Sequence, residues 1–247
     1  MRLLLLPALA LLAWTTSGCV HMHMETVIDP DGGGACTVSY AIGREVADAV
    51  AALNALGAGP ATERLPSLDG LGRDEVARIC AAHGVTLVDH RYTGAAAGQR
   101  LDLALAFDDV GALSAVLAGL GDGGGGVMRI DANDDGTYTL RTAPAAPEAD
   151  GEPPAPADRR PPASADEMGR MQRSMPHLGV LMAHLDELDV LMTITVPGDV
   201  IHSNAMEVEG RTSIWSVNAA NVGHATGGGM DPVIRFAGDG VTIGSRD

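Results

Sequence analysis

There is no lysine in these 247 residues, so all 16 basic side chains are arginines. That absence closes off several chemistries. A P-loop needs its phosphate-gripping lysine, and Schiff-base catalysis and Ser-Lys dyads need an ε-amine. Aromatic side chains make up only 3% of the chain. Beyond Trp14 they are Tyr40, Tyr92, Phe107, Tyr138, Trp215 and Phe236, too few for the stacking platforms that hold sugars or bases. Positive charge is scarce too: 32 acids outnumber the arginines, for a net charge of −16. Such a surface repels polyanions and argues against nucleic-acid binding. The three cysteines form no CxxC, and neither GxSxG nor HExxH occurs. With no catalytic signature, no catalytic residue is assigned and the chain is expected not to be an enzyme.

The one long apolar run is at the start. Arg2 precedes Leu3 to Trp14, and Thr15-Thr16-Ser17-Gly18-Cys19 follows. A charged n-region, a short h-region and small residues before a cut make 1–18 a secretory leader. The run is too short to span a bilayer, which takes ~20 residues of helix. Thr16-Ser17-Gly18-Cys19 resembles the lipobox of bacterial lipoproteins, with Thr16 where Leu is more usual. Cys19 is therefore expected to carry acyl chains, palmitate among them, and to become the first residue of the mature protein. Val20 rather than Asp after that cysteine points to the outer membrane, where the cell has one. Cleavage removes Arg2 and no acid, so acyl chains rather than a basic patch should hold the protein to the membrane, facing the extracytoplasmic side. No hydrophobic tail closes the sequence, which leaves Cys19 as the expected anchor.

Downstream, Val20 to Ile28 alternates with period two. Asp29-Pro30-Asp31-Gly32-Gly33 makes a turn, and Gly34 to Ile42 returns as the second half of a hairpin. Arg44 to Leu56 predicts a helix with Val46, Val50 and Leu53 on one side. Arg73 to His83 predicts another, with Val76, Ile79, Cys80 and His83 on its face and Gly84 as its stop. Val85 to Tyr92 and Arg100 to Phe107 read as a strand pair around a Gly94-to-Gly98 loop. Asp108-Asp109 opens a helix to about Leu120 by charge–dipole attraction. Val127 to Ile130 and Thr137 to Thr142 form a hairpin turning at Asn133 to Gly136. Ala143 to Ala165 holds seven of the 14 prolines and no aliphatic residue larger than alanine, so it cannot offset the entropy of ordering and is expected to be a disordered linker. Ser164 and Glu167 fit a capping box for a helix carrying Met168 and Met171, interrupted at Pro176. His177 to Leu188 leans helical.

The most ordered-looking text is Leu191 to Asn221. Val190, Met192, Ile194 and Val196 alternate with Leu191, Thr193 and Thr195. Pro197-Gly198 ends that strand, with Gly198 expected at positive φ in a type II turn. Val200 to Ala205, Met206 to Val208 and Arg211 to Val217 are further short extended pieces. Ser213, Trp215 and Val217 share a face, and Pro232 to Phe236 reads as a last strand.

Four patterns invite chemistry, each beside a plainer reading. Asp131, Asn133, Asp135 and Gly136 open like an EF-hand loop, but Thr142 stands where its closing Glu belongs; a simple hairpin turn accounts for the same residues. His21, Met22, His23 and Met24 suggest soft-metal ligation, yet on a strand the histidines face one way and the methionines the other. His177 and His184 could share a helix face but lack a third ligand. Gly119, Gly121 and Gly124 have GxGxxG spacing in the wrong strand–helix order. No metal and no cofactor is assigned, with calcium or copper binding kept as the alternative function and, behind it, a hydrolase without a recognisable motif. Cys36 and Cys80 remain once Cys19 is modified. A disulfide between them and two separately buried thiols both stay open.

These residues reach a family. Gly18-Cys19-Val20, the Asp31-Gly32 hairpin, Val196-Pro197-Gly198, Val200, Ser203-Asn204, Gly210 and Trp215 resemble the LppM-like lipoproteins of actinobacteria. The resemblance implies a membrane-anchored α+β domain exposed in the envelope, with no catalytic residue to carry over. Family members often have a C-terminal transmembrane helix, and this chain departs from them there and in its Pro-rich insertion. The expected architecture is thus α+β: an antiparallel sheet of hairpins and a meander with several short helices. Residues 19–142 and 166–247 are two parts of one domain around the 143–165 linker. The expected function is a lipid-anchored envelope protein that binds an apolar or amphipathic ligand, an envelope lipid or glycolipid, or a partner protein.

Overall fold

The computed structural model describes residues 20–56, 68, 70–95, 98–120, 127–143, 165–222 and 231–243. The expected leader 1–18, Cys19 and most of the expected linker 143–165 lie outside them. The fold is α+β, with two sheets and helices packed on them. Four of its helices are α1 (Arg44–Leu56), α2 (Arg73–Ala82), α3 (Val110–Leu120) and α4 (Ala165–Ala183).

The larger sheet has seven strands. In spatial order they are β3 (Thr86–Ala95), β4 (Gly98–Phe107), β2 (Gly34–Gly43), β1 (Val20–Ile28), β7 (Leu188–Thr195), β10 (Thr212–Asn218) and β9 (Glu207–Glu209). The smaller sheet runs β5 (Val127–Ala132), β6 (Thr137–Ala143), β11 (Val233–Ala237), β8 (Val200–Ser203). Each sheet takes strands from both sides of the Pro-rich segment.

The expectation of antiparallel pairing holds everywhere but at the centre. There β1 pairs with β7 in parallel, from Val20 opposite Leu188 to Val27 opposite Thr195. Hairpin logic could not find this pairing, because a parallel neighbour requires a long crossover and here most of the chain intervenes.

The period of two decides what is inside. Leu103, Val38, Met24, Met192 and Trp215 oppose one another in a row across five strands, and all five are buried. Cys36, Leu105, Thr26, Ile194 and Ser213 form the next buried row. Helices α1 and α2 bring Val46, Val50, Val76 and Cys80 to the same core. From the smaller sheet come Leu140, Ile234 and Phe236, the last stacked on Tyr138 with ring centroids 5.7 Å apart.

Local chemistry sets the element ends. Asp109 Oδ2 accepts the Ala112 N–H at 2.9 Å, capping α3. Gly32, Gly84, Gly136 and Gly210 turn the chain at positive φ.

Three further sequence expectations change. Helix α4 continues through Pro176. Proline there removes the bond to the Gln172 carbonyl, but both residues are exposed, so water can satisfy the freed oxygen. His83, expected on the apolar face of α2, is exposed beyond the helix end. Gly198 has no positive φ; it is needed because the Ala237 backbone carbonyl closes on the space a Cβ would fill.

Candidate functional site

Strand β1 presents His21, His23 and Glu25 on the face opposite Met24 and Thr26. The expected split of histidines from methionines is what the strand shows, so a mixed His/Met ligand set is not assembled. The parallel partner supplies something else. Asp189 on β7 stands directly opposite His21. Its Oδ2 accepts from His23 Nε2 at 2.9 Å and from His21 Nδ1 at 3.2 Å. These bonds, His23's first, hold the Asp189 carboxyl below its usual range. His23 and Asp189 are about half exposed, while His21 Nε2 is shut off from solvent without a hydrogen-bond partner. Beside them Ser39, opposite His23, donates to Asp102 at 2.7 Å, and Arg100 bonds both. This polar face of the central sheet was only half visible in the sequence: the two histidines are two residues apart, but Asp189 is 168 residues from His21.

The EF-hand-like residues do something other than build a cage. Asp131 pairs with Arg141 at 2.8 Å and Arg129 at 3.2 Å. Asp135 accepts from Thr137 and pairs with Arg235. Asn133 Nδ2 donates to Thr137 and Thr139, and Gly136 turns at φ 76. The plain hairpin accounts for every one of these residues, because arginines already hold both carboxylates.

Cys36 and Cys80 are free thiols, both buried, so the bridge left open by the sequence is not formed here. Cys36 accepts a bond from the Thr26 hydroxyl at 3.5 Å. Burial pushes its thiol up to about 11, which keeps it protonated and a poor nucleophile at neutral pH. Cys80 is raised in the same direction and by the same cause.

His177 and His184 do not share a helix face, since α4 ends at Ala183. His184 instead reaches α1: its Nε2 donates to Glu45 at 3.2 Å, with Glu187 3.5 Å from Nδ1. Glu45, then Glu187, raises the His184 pKa. The stabilisation is therefore complete below the ordinary histidine range of ~6.5 and is lost as pH rises through the raised value. Stability is expected to decline over that interval and His184→Gln to flatten the decline, as read by thermal melts at stepped pH with an NMR titration of the His184 ring.

Helix α4 packs along α1, burying Ser174 and half-burying His177 and Leu181. Its other side is a row of long apolar side chains: Met168, Met171, Met175, Leu178 and Met182. All stand open to solvent, from 42% exposed at Leu178 to 67% at Met182. The sequence showed the methionines but not their exposure, which depends on where α1 docks. Such rows are unusual on a soluble surface and mark contact sites. Among the described residues, no helix is long and apolar enough to cross a membrane.

No family model matches the chain, and no curated protein matches it. Among solved structures, the folded domain of the Mycobacterium tuberculosis LppM protein, determined by NMR, is similar over 89% of each chain. The identity is 11% and the TM-score 0.39, a loose structural relationship.

Proposed function

We propose that this is a lipid-anchored, non-enzymatic protein of the cell envelope, and that its folded part docks an amphipathic helix of a partner protein along α4. The leader-like 1–18 stretch and Cys19 support the anchor and the extracytoplasmic placement. The observation that carries the docking is the methionine row. Its positions, 168, 171, 175, 178 and 182, repeat by three and four, the spacing at which one helix presents a seam to another. Four of the five are methionines, whose flexible, polarisable side chains adapt to a partner's shape. An apolar helix face laid in such a seam is an established mode of peptide recognition.

Photo-methionine incorporated into the full chain, with crosslinking in intact envelopes, tests both parts. Adducts are expected on the peptides carrying Met171, Met175 and Met182, joined to protein. Leu178→Asp, which leaves every photo-methionine of the row in place at an exposed position, should reduce them at least tenfold while leaving the fold intact. Adducts to lipid alone would lay the row on the bilayer and overturn helix docking. Adducts mapping away from α4 would overturn it as well. Independently, Cys19→Ser should end fatty-acid labelling and release the chain from membranes.

A further inference from the structure

We propose that His21, His23 and Asp189 form a binding site for a divalent late transition metal, zinc or copper(II), on the polar face of the central sheet. One nitrogen from each ring and one carboxylate oxygen lie within 4.8 Å of one another. The separations to Asp189 Oδ2, 2.9 and 3.2 Å, suit neighbouring ligands around an ion, which sit ~3 Å apart when metal–ligand bonds are ~2.0–2.2 Å. The three groups come from paired positions of two strands at the middle of a seven-stranded sheet, so the backbone that places them is held on both sides.

The donor set selects the metal. Two imidazoles and one carboxylate are borderline ligands, matched to zinc and copper(II). Calcium wants six to eight oxygens. Copper(I) wants sulfur, and Met24 points into the core on the far face. The half-exposed His23 and Asp189 leave room for water to complete the coordination shell. The strongly acidic chain, at −16, concentrates cations around it.

The ring of His21 is otherwise lightly held. His21 Nε2 is enclosed and unpartnered, so a single bond from Nδ1 to Asp189 fixes this ring. Coordination of Nδ1 would replace that lone hydrogen bond with a stronger tie. The protons balance: each coordinating nitrogen gives up its hydrogen, to the ring's other nitrogen or to solvent, and on His21 that other nitrogen is the enclosed Nε2. This site is separate from the methionine row. With Cys19 acylated, it stands two residues from the anchor and would hold its ion close to the membrane surface.

The test uses the full chain, stripped with a chelator and titrated with zinc chloride against a chromophoric competitor. One equivalent is expected to bind, and His23→Ala and Asp189→Asn should each weaken binding tenfold or more. His202→Ala, at an exposed histidine elsewhere, should leave it unchanged. Copper(II) loaded into the same protein should show nitrogen coupling by electron paramagnetic resonance, reduced in His23→Ala. His23 is exposed, so that variant is expected to fold, and circular dichroism checks it. Equal binding in all three variants, or none at one equivalent in the parent, would overturn the proposal and leave an ion pair only.

Discussion

Trp215→Ala is expected to destabilise the folded chain by about 3–5 kcal/mol, the usual cost of emptying a large aromatic site in a core. Trp215 is 1% exposed and ends the row that runs through Met192, Met24 and Val38 to Leu103. Its removal opens a void where β10 meets β7, and the flanking strands cannot close over it without losing their register. At ~2–4 °C per kcal/mol for a protein of this size, the melting temperature should fall by roughly 6–20 °C. Trp215→Phe should cost much less. It keeps most of the ring and removes an indole N–H that has no hydrogen-bond partner, a group whose burial is unfavourable. A thermal melt followed by circular dichroism reads both, and equal losses in the two variants would mean that ring volume is not what the site requires.

Gly198→Ala is expected to cost about 3 kcal/mol, at the upper end for forcing an extra methyl into a packed place. The Cβ would meet the carbonyl oxygen of Ala237, a backbone atom with no rotamer to escape by. That segment is held in turn, since the Ala237 N–H donates to Asp199 at 2.9 Å. Relief would require β11 to move off β8. Gly179→Ala supplies the opposite sign. It lies in α4 with nothing within 4 Å of its Cβ position, and alanine favours helix over glycine by up to ~1 kcal/mol. Urea melts of the three proteins would order them Gly179→Ala, parent, Gly198→Ala; a Gly198→Ala midpoint equal to the parent's would remove the close-approach argument.

The two glycines illustrate what this sequence discloses. Pro197-Gly198 was legible as the end of a strand, because proline lacks a ladder donor. Why glycine is required there was not, because the atom that excludes a side chain belongs to Ala237. Local patterns did well where the cause is local: α1 follows from its apolar spacing, β7 from its alternation, and the Asn133-to-Gly136 turn from its residue types. Pairing across the chain did poorly. Nothing in Val20 to Ile28 names Leu188 to Thr195 as its parallel neighbour, so the carboxylate that meets His21 and His23 was hidden. The methionine row had the reverse problem. Its residues were plain, but whether a helix face is covered depends on how another helix docks, which periodicity does not encode.

The parallel pairing of β1 with β7 also bears on how such a chain would be made. A protein exported N-terminus first, as proposed above, delivers β1 and the anchoring cysteine outside at the beginning of translocation. The central neighbour of β1 arrives only when Thr195 has cleared the channel. Until then the sheet is open at its middle, and the hairpin of β1 and β2 has one unpaired edge. Non-local pairings of this kind fold slowly, since the loop must close before the contacts repay it. On that proposal, attachment to the membrane would precede completion of the fold, with that edge of β1 still unpaired. Pulse-labelled chains truncated just before Leu188 should remain protease-sensitive, and chains extending through Asn218 should begin to resist.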